Sequence, residues 1–277
     1  MKTLSNKVVA ITGAGSGIGR ALALRCADLG ASVAISDVND AALAETASLA
    51  AGKPSRIHTA RVDVGQRDAI YAWAEQVKNE LGPVDVIVNN AGVSLSQTIA
   101  EMRDEDFFWL MNINFWGVVH GTRAFLPQLL SRPEAHVVNL SSVFGLIAVP
   151  TQAAYNSSKF AVRGFTEALR QELAQTNVRV TTVHPGGIKT NIVRNGRHFR
   201  DVTGNTDAAA VAREFDRVAR TSPEEAARQI AEAILREKRR LLIGLDAILI
   251  DRMQRLLPAS YDGLVAKAVS RSKPSAN

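Results

Sequence analysis

Short apolar runs, rich in valine, isoleucine and alanine, alternate along this chain with longer stretches whose apolar residues recur at helical spacing. The runs fall at residues 8–11, 31–37, 56–62, 84–88, 135–140 and 178–183. Helix-period stretches follow the first three: one at 18–29, one at 41–51 behind the capping pair Asn39-Asp40, and one up to Leu81, where Gly82-Pro83 ends the pattern. Runs without polar alternation are covered on both faces, and their alternation with helices predicts βαβ units around a parallel sheet. No internal repeat, low-complexity tract or linker interrupts the chain before residue 195. The pattern predicts one α/β domain, an irregular segment over 195–207 and a helical C-terminal appendage.

Composition removes several function classes. The chain has 277 residues, 46% hydrophobic and 22% charged, which gives room for a sizeable core and argues against disorder. Cys26 is the single cysteine, excluding an intramolecular disulfide and a multi-thiolate zinc site. It lies mid-helix among Ala23, Leu24 and Ala27, the setting of a buried, inert thiol. The five histidines have no metal-ligand spacing, so no metal is expected. No apolar run reaches the roughly 18 residues of a membrane span, and the best candidate, 241–250, contains Asp246. The N-terminal stretch lacks a signal-peptide core, which leads to the expectation of a soluble, cytoplasmic protein.

The net charge of +6 suggests a polyanion partner. Its distribution argues otherwise. From residue 226 onward ten Lys/Arg face five Asp/Glu, which leaves 23 against 22 for residues 1–225. The excess belongs to the C-terminal fifth, and no nucleic-acid partner is expected.

The first turn, Thr12-Gly13-Ala14-Gly15-Ser16-Gly17-Ile18-Gly19, lies directly after a strand and before a helix. Glycines there let a dinucleotide pyrophosphate approach the backbone, and a helix N-terminus offers it free N–H groups. The spacing is G-x-x-x-G-x-G, on Gly13, Gly17 and Gly19, rather than G-x-G-x-x-G. Asp37 ends the second run, 18 residues after Gly19. A carboxylate there accepts the adenosine ribose hydroxyls and repels a 2′-phosphate, and no arginine stands beside it in sequence, so NAD is expected over NADP. Asp63-Val64 and Asn89-Asn90-Ala91-Gly92 follow the third and fourth runs, at strand ends that line a ligand crevice, although such residues also form ordinary turns.

Tyr155 and Lys159 stand four apart in a helical stretch, 153–175, and share a face. A phenol with a pKa near 10 is a poor acid–base group, and a nearby ammonium is expected to lower it. Ser142, 13 residues upstream at the end of the fifth run, adds a hydroxyl able to hold a carbonyl oxygen.

Together the TGAGSGIG turn, the NNAG run, NINFWG, NLSSVFG, YNSSK and HPGGIKT resemble the short-chain dehydrogenase/reductase family, in order and over about residues 5 to 190. The resemblance implies a doubly wound, Rossmann-type seven-stranded parallel sheet, with residues 241–244 similar to its last strand. It implies Tyr155 as proton donor and acceptor and Lys159 on the nicotinamide ribose. Ser142, rather than its neighbour Ser141, would hold the substrate oxygen, and Asn114 a helix kink and a water. It further implies that Pro185, Gly186 and Thr190 frame the nicotinamide, with the Ile188 backbone on its amide. Gly13, Gly15, Ser16, Gly17, Ile18, Gly19, Asp37, Asp63, Val64, Asn90, Ala91 and Gly92 complete the expected cofactor contacts.

The expected division is a dinucleotide-binding catalytic domain over 1–244, with a substrate loop at about 187–222, and an amphipathic basic extension over 245–277. In the extension, Leu245, Ile248, Leu249, Met253, Leu256 and Leu257 form an apolar stripe behind Lys238-Arg239-Arg240. Such a helix can lie on an anionic membrane, cover a substrate pocket or pack on a neighbouring subunit, and the last two are favoured. His184 is expected to be a strand-end residue rather than a catalyst. Phe160, Phe165, Leu169 and Leu173 make the Tyr155 helix apolar on several faces, and with the family resemblance this implies a homodimer or homotetramer. The expected activity is hydride transfer between NAD(H) and a secondary alcohol or ketone, a small-molecule substrate, with Tyr155 as the acid–base group. A hydrophobic substrate is suggested by Phe144, Leu146, Ile147 and Val149, which could equally be core. A non-catalytic nucleotide-sensing or scaffolding protein, and an epimerase or dehydratase, are the alternatives on the same fold.

Overall fold

In the computed structural model, which describes residues 1–53 and 55–271 with side chains to residue 267, the apolar runs become parallel strands. In chain order the strands are β1 (Val8–Thr12), β2 (Ser32–Asp37), β3 (Ile57–Arg61), β4 (Val86–Asn89), a two-residue β5 (Leu95–Ser96), β6 (Ala135–Leu140), β7 (Val178–Pro185), a two-residue β8 (Arg197–His198) and β9 (Arg240–Ile243). The helices are α1 (Gly17–Asp28), α2 (Asp40–Leu49), α3 (Arg67–Leu81), α4 (Asp104–Met111), α5 (Gly117–Leu130), α6 (Ala153–Glu172), α7 (Ala208–Val218), α8 (Pro223–Leu235), α9 (Leu245–Leu256) and α10 (Tyr261–Arg271). Seven strands form one sheet in the order β3-β2-β1-β4-β6-β7-β9, every pairing parallel. This is the doubly wound Rossmann-type fold that the motifs implied.

Both faces of the sheet are covered, as unalternating strands require. Val9 and Ile11 of β1 join a core beneath α1 and α8, with Leu22, Cys26, Ile230 and Ile234. Val8 and Ala10 point the other way, into a core with Ile70 and Trp73 of α3 and Phe125 and Leu129 of α5. Trp73 meets Phe125 edge-on at 5.2 Å between ring centres. Cys26 is fully buried, and burial pushes its thiol up to about 12, as expected of an inert thiol.

The chain runs outward from β1 to β3, then crosses back to β4 beside β1. That reversal opens a crevice at the C-terminal strand ends, where ligands bind in open α/β sheets. The segment after β7 is tied across it. β8 pairs with β5, while Arg197 reaches the buried Asp106 at 2.6 Å and lies over the Trp109 ring at 3.9 Å.

The C-terminal segment forms the two helices α9 and α10. α9 buries Ala247 and Asp251, while Leu245, Leu249 and Leu256 are exposed, so the apolar stripe is not the packed face. Asp251 can face inward because Arg240 at 2.5 Å and Arg255 at 3.1 Å neutralise it. α10 returns so that the Tyr261 hydroxyl accepts the Ala148 N–H at 3.1 Å. The last six residues of the expected 245–277 extension lie outside the described residues. Among the described residues no helix is long and apolar enough to cross a membrane.

Phe125→Ala removes a fully buried ring and leaves a cavity against Trp73. It is expected to destabilise the protein by about 3–5 kcal/mol, read as a lower urea midpoint with an unchanged slope.

Candidate active site

The turn between β1 and α1 is built without side chains because its neighbours leave no room for them. A Cβ at Gly13 would lie 2.7 Å from the Ala91 Cα, and one at Gly19 would lie 2.2 Å from the Gly13 carbonyl oxygen. Gly13 and Gly17 also have φ of +66° and +54°, a region that penalises other residues. Asn90 pins the turn by donating to the Thr12 and Gly13 carbonyls at 2.8 and 3.0 Å. Thr12, missed in the sequence reading, accepts the Asn90 and Ala91 N–H groups through its hydroxyl at 3.0 and 3.1 Å. The only sequence signal was its place beside Gly13.

The turn fits an anion. Ser16 precedes α1 without a side-chain capping bond, and the first helical turn carries no acidic residue, so its N–H groups and dipole face the crevice uncompensated. Asp37 accepts the Gly15 N–H at 2.9 Å through one oxygen and the Asn39 N–H at 3.1 Å through the other, which anchors it beside the turn. Two arginines enter this part of the fold, each bonded to groups other than the Asp37 carboxylate. Arg20 donates to the Gly15 carbonyl at 2.5 Å and to Glu45 at 2.6 Å, and Arg61, in register with Asp37, donates to the Val38 carbonyl at 3.3 Å. Both arrive through tertiary contacts that spacing along the chain does not reveal.

Across the crevice, Ser142 lies two residues beyond β6, capping the short helical turn Val143–Gly145, and its hydroxyl accepts the Phe144 N–H at 3.1 Å. Ser141 is directed elsewhere, donating to the Lys159 carbonyl at 2.8 Å. Tyr155 and Lys159 lie on one face of α6, both buried, with the Lys159 Nζ 5.6 Å from the Tyr155 ring centre and donating to the Leu140 carbonyl at 3.0 Å. The expected lowering of the phenol pKa is not what this arrangement shows. Burial pushes Tyr155 up to about 12, against an opposing pull from Ser142, and burial brings Lys159 down to about 8. Desolvation dominates at both groups, because both side chains lose water together.

Several other predicted residues converge here. Asn114 sits in a π-helical turn, Asn112–Trp116, between α4 and α5, and its amide pairs with both backbone groups of Val93 at 2.8 and 2.9 Å. Gly92 lies beside it, where a Cβ would stand 3.3 Å from Asn114 Oδ1 and 3.5 Å from Lys159 Nζ. Pro185 ends β7, Ile188 is buried and bridged to Thr221, and Thr190 faces Gly17. Asp63 folds onto its own turn, accepting the Gly65 N–H at 2.9 Å, while Val64 is buried against Gly117. Ile18 packs against the core under α1.

Of the apolar residues after Ser142, Leu146 and Ile147 are core, and Phe144 meets Tyr155 edge-on at 6.0 Å. Two cavities of about 310 and 580 Å³ lie on another side of α6, sharing Ile99, Ala153 and Ser157, and neither is lined by Ser142, Tyr155 or Lys159.

The comparisons with known proteins agree with this geometry. The family model described as short chain dehydrogenase matches residues 7–201. The chain belongs to the short-chain dehydrogenase family. This short-chain dehydrogenase is 44% identical to SadH of Mycobacterium tuberculosis, named as an oxidoreductase, over 277 residues and 99% of each chain. It is 31% identical to estradiol 17-beta-dehydrogenase 11 of Homo sapiens over 272 residues, covering 97% of this chain and 85% of that protein. A short-chain dehydrogenase/reductase of Burkholderia phymatum, solved in complex with NAD, superposes with a TM-score of 0.86 at 30% identity, covering 93% of this chain and 96% of that one. The protein is therefore an oxidoreductase of this family.

His184 supports the site from beneath, its Nδ1 lying 3.1 Å from the Ser142 carbonyl oxygen and so acting as the donor. Burial holds His184 down to about 4 and His136 to about 3. The unfolded chain takes up both protons below about pH 6.5 and the folded chain does not. Stability is therefore expected to be full above pH 6.5 and to fall as the pH drops toward 4. In His184→Asn, urea unfolding at pH 6.5 and 4.5 should show a loss on acidification smaller by on the order of 2–3 kcal/mol.

Proposed function

We propose that this oxidoreductase transfers hydride between NAD(H) and a secondary alcohol or ketone of hydrophobic character, with Tyr155 as the acid–base group. The observation that carries this reading is the placement of Ser142, Tyr155 and Lys159 together across the crevice from the glycine turn. The catalytic unit is residues 1–244, with the substrate loop over 187–222, and the segment from 245 packs beside it.

When bound, the dinucleotide accepts or delivers the hydride. Gly13, Gly15, Ser16, Gly17, Ile18 and Gly19 hold its pyrophosphate. Asp37 takes the adenosine ribose, and Asp63 and Val64 border the adenine. Asn90, Ala91 and Gly92 form the floor, and Pro185, Gly186, Ile188 and Thr190 bound the nicotinamide end. Asp37 favours NAD because a 2′-phosphate would meet its charge, and Arg20 and Arg61 are already engaged with other groups.

The Ser142 hydroxyl holds the substrate oxygen. Tyr155, protonated in the free protein because burial holds it at about 12, donates its proton to that oxygen in reduction. In oxidation Tyr155 takes the proton back, helped by the positive charge of Lys159, and Asn114 keeps the 92–93 backbone in place behind it. The name of the human relative, a steroid alcohol dehydrogenase, supports a hydrophobic secondary alcohol. The exposed Phe108, Trp116 and Phe160 on α4, the π-helical turn and α6 support a homodimer or homotetramer.

Tyr155→Phe is expected to lower turnover by at least ~10²-fold while NADH binding, followed by fluorescence, persists. Near-normal turnover would refute the role of Tyr155. Asp37→Ser should lower the ratio of kcat/KM for NAD over NADP by at least about tenfold, through loss of a like-charge clash. An unchanged ratio would remove Asp37 as the selector.

A further inference from the structure

The first turn of α9 reaches back over the glycine-rich turn that follows β7. There the Asp246 carboxylate accepts the Gly187 N–H at 2.6 Å. Its neighbours make room for it: a Cβ at Gly186 would fall 2.2 Å from one Asp246 oxygen, and a Cβ at Gly244 would fall 2.3 Å from the other. Gly244 is required a second time, because its φ is +98°. A single carboxylate thus fills the space left by two glycines and bonds the backbone of a third.

The same turn is also held by the main chain. Gly186 N–H donates to the Ile243 carbonyl at 2.9 Å, Lys189 N–H to the Thr221 carbonyl at 3.0 Å, and Arg220 N–H to the Gly187 carbonyl at 3.2 Å. Those bonds fix the ends of the turn, and Asp246 fixes the peptide between Gly186 and Gly187. A hydrogen bond to an ionised acceptor is stronger than one between neutral groups. Apolar burial contributes little to the docking of this helical turn, since Leu245 is 80% exposed and Ala247 supplies its buried contact.

We propose that Asp246 is a positioning residue whose carboxylate holds the Gly186–Gly187 turn in the form that receives the nicotinamide end of the cofactor. It couples the C-terminal helix to cofactor affinity. The inference rests on the cofactor reading above. Asp246 does not touch the cofactor; it acts through the Gly187 N–H and the peptide leading to Ile188 and Thr190. In the sequence Asp246 showed only as a break in an apolar run.

The test is titration calorimetry of Asp246→Ala and Asp246→Asn with NADH and with ADP-ribose, which lacks the nicotinamide. Asp246→Ala should bind NADH about tenfold more weakly, the scale of one charge-assisted hydrogen bond at a partly exposed site. Its affinity for ADP-ribose should match that of the unsubstituted protein, which also shows that the variant is folded. Asp246→Asn keeps an oxygen acceptor for the Gly187 N–H and should stay within about threefold for both ligands. Unchanged NADH affinity in Asp246→Ala, or equal losses for NADH and ADP-ribose, would overturn the proposal. If the unsubstituted protein does not bind NADH, the cofactor reading itself fails and this inference falls with it.

Discussion

Where the chain reverses between β1 and β4, two loops must pass within touching distance at the ends of adjacent strands. The turn at Gly13 lies against Ala91, and Asn90 donates two hydrogen bonds to Thr12 across the gap, one from its backbone and one from its side chain. No side chain fits at Gly13 or Gly19 in that contact, so the backbone itself lines the crevice there. This close approach is what leaves the N-terminus of α1 open and aimed at a ligand. Asp37, the α6 pair and the turn after β7 all take their positions from strands registered on this pair.

On the opposite wall, burial and charge act against each other. Tyr155 and Lys159 both lose water, and each is displaced toward its neutral form. The protein offsets the cost of burying Lys159 with the Leu140 carbonyl, and it fixes the β6–α6 connection through Ser141 on the Lys159 carbonyl. Ser142 stands free of that bracing and is steadied instead by the Phe144 N–H and, through its carbonyl, by His184. These hydrogen bonds hold in place a pair of groups that burial drives toward their neutral forms.

Arginine–carboxylate pairs organise the outer parts of the molecule. Asp106 gathers Arg103 and Arg197 and so ties the segment after β7 to α4. Asp251 gathers Arg240 and Arg255 and turns α9 so that its leucines face outward. A charged residue took the inward position because its partners come from β9 and from the next helical turn, which a hydrophobic-stripe reading treats as surface. The basic excess of the C-terminal fifth is in part a set of such structural partners.

Most strands of the large sheet were legible in the sequence because unalternating apolar runs admit one burial pattern, whereas β9 came from the family resemblance and the two-residue β5 and β8 left no signal; the glycine turn was legible because strand, glycines and helix occur in immediate succession. The Tyr155–Lys159 pair and Ser142 were legible because helical spacing and strand ends are local properties. Thr12, His184, Arg20, Arg61 and Asp246 were not, since each acts on a residue distant along the chain or through a side chain whose direction only packing sets. The same holds for the pKa of Tyr155, where the sequence suggested a nearby ammonium and the fold supplied desolvation. Local pattern, with the family resemblance, determined most of the elements and many of the residues that reach the crevice. Only the tertiary structure decided how those residues are held, because burial and long-range hydrogen bonds do not exist until the layers close.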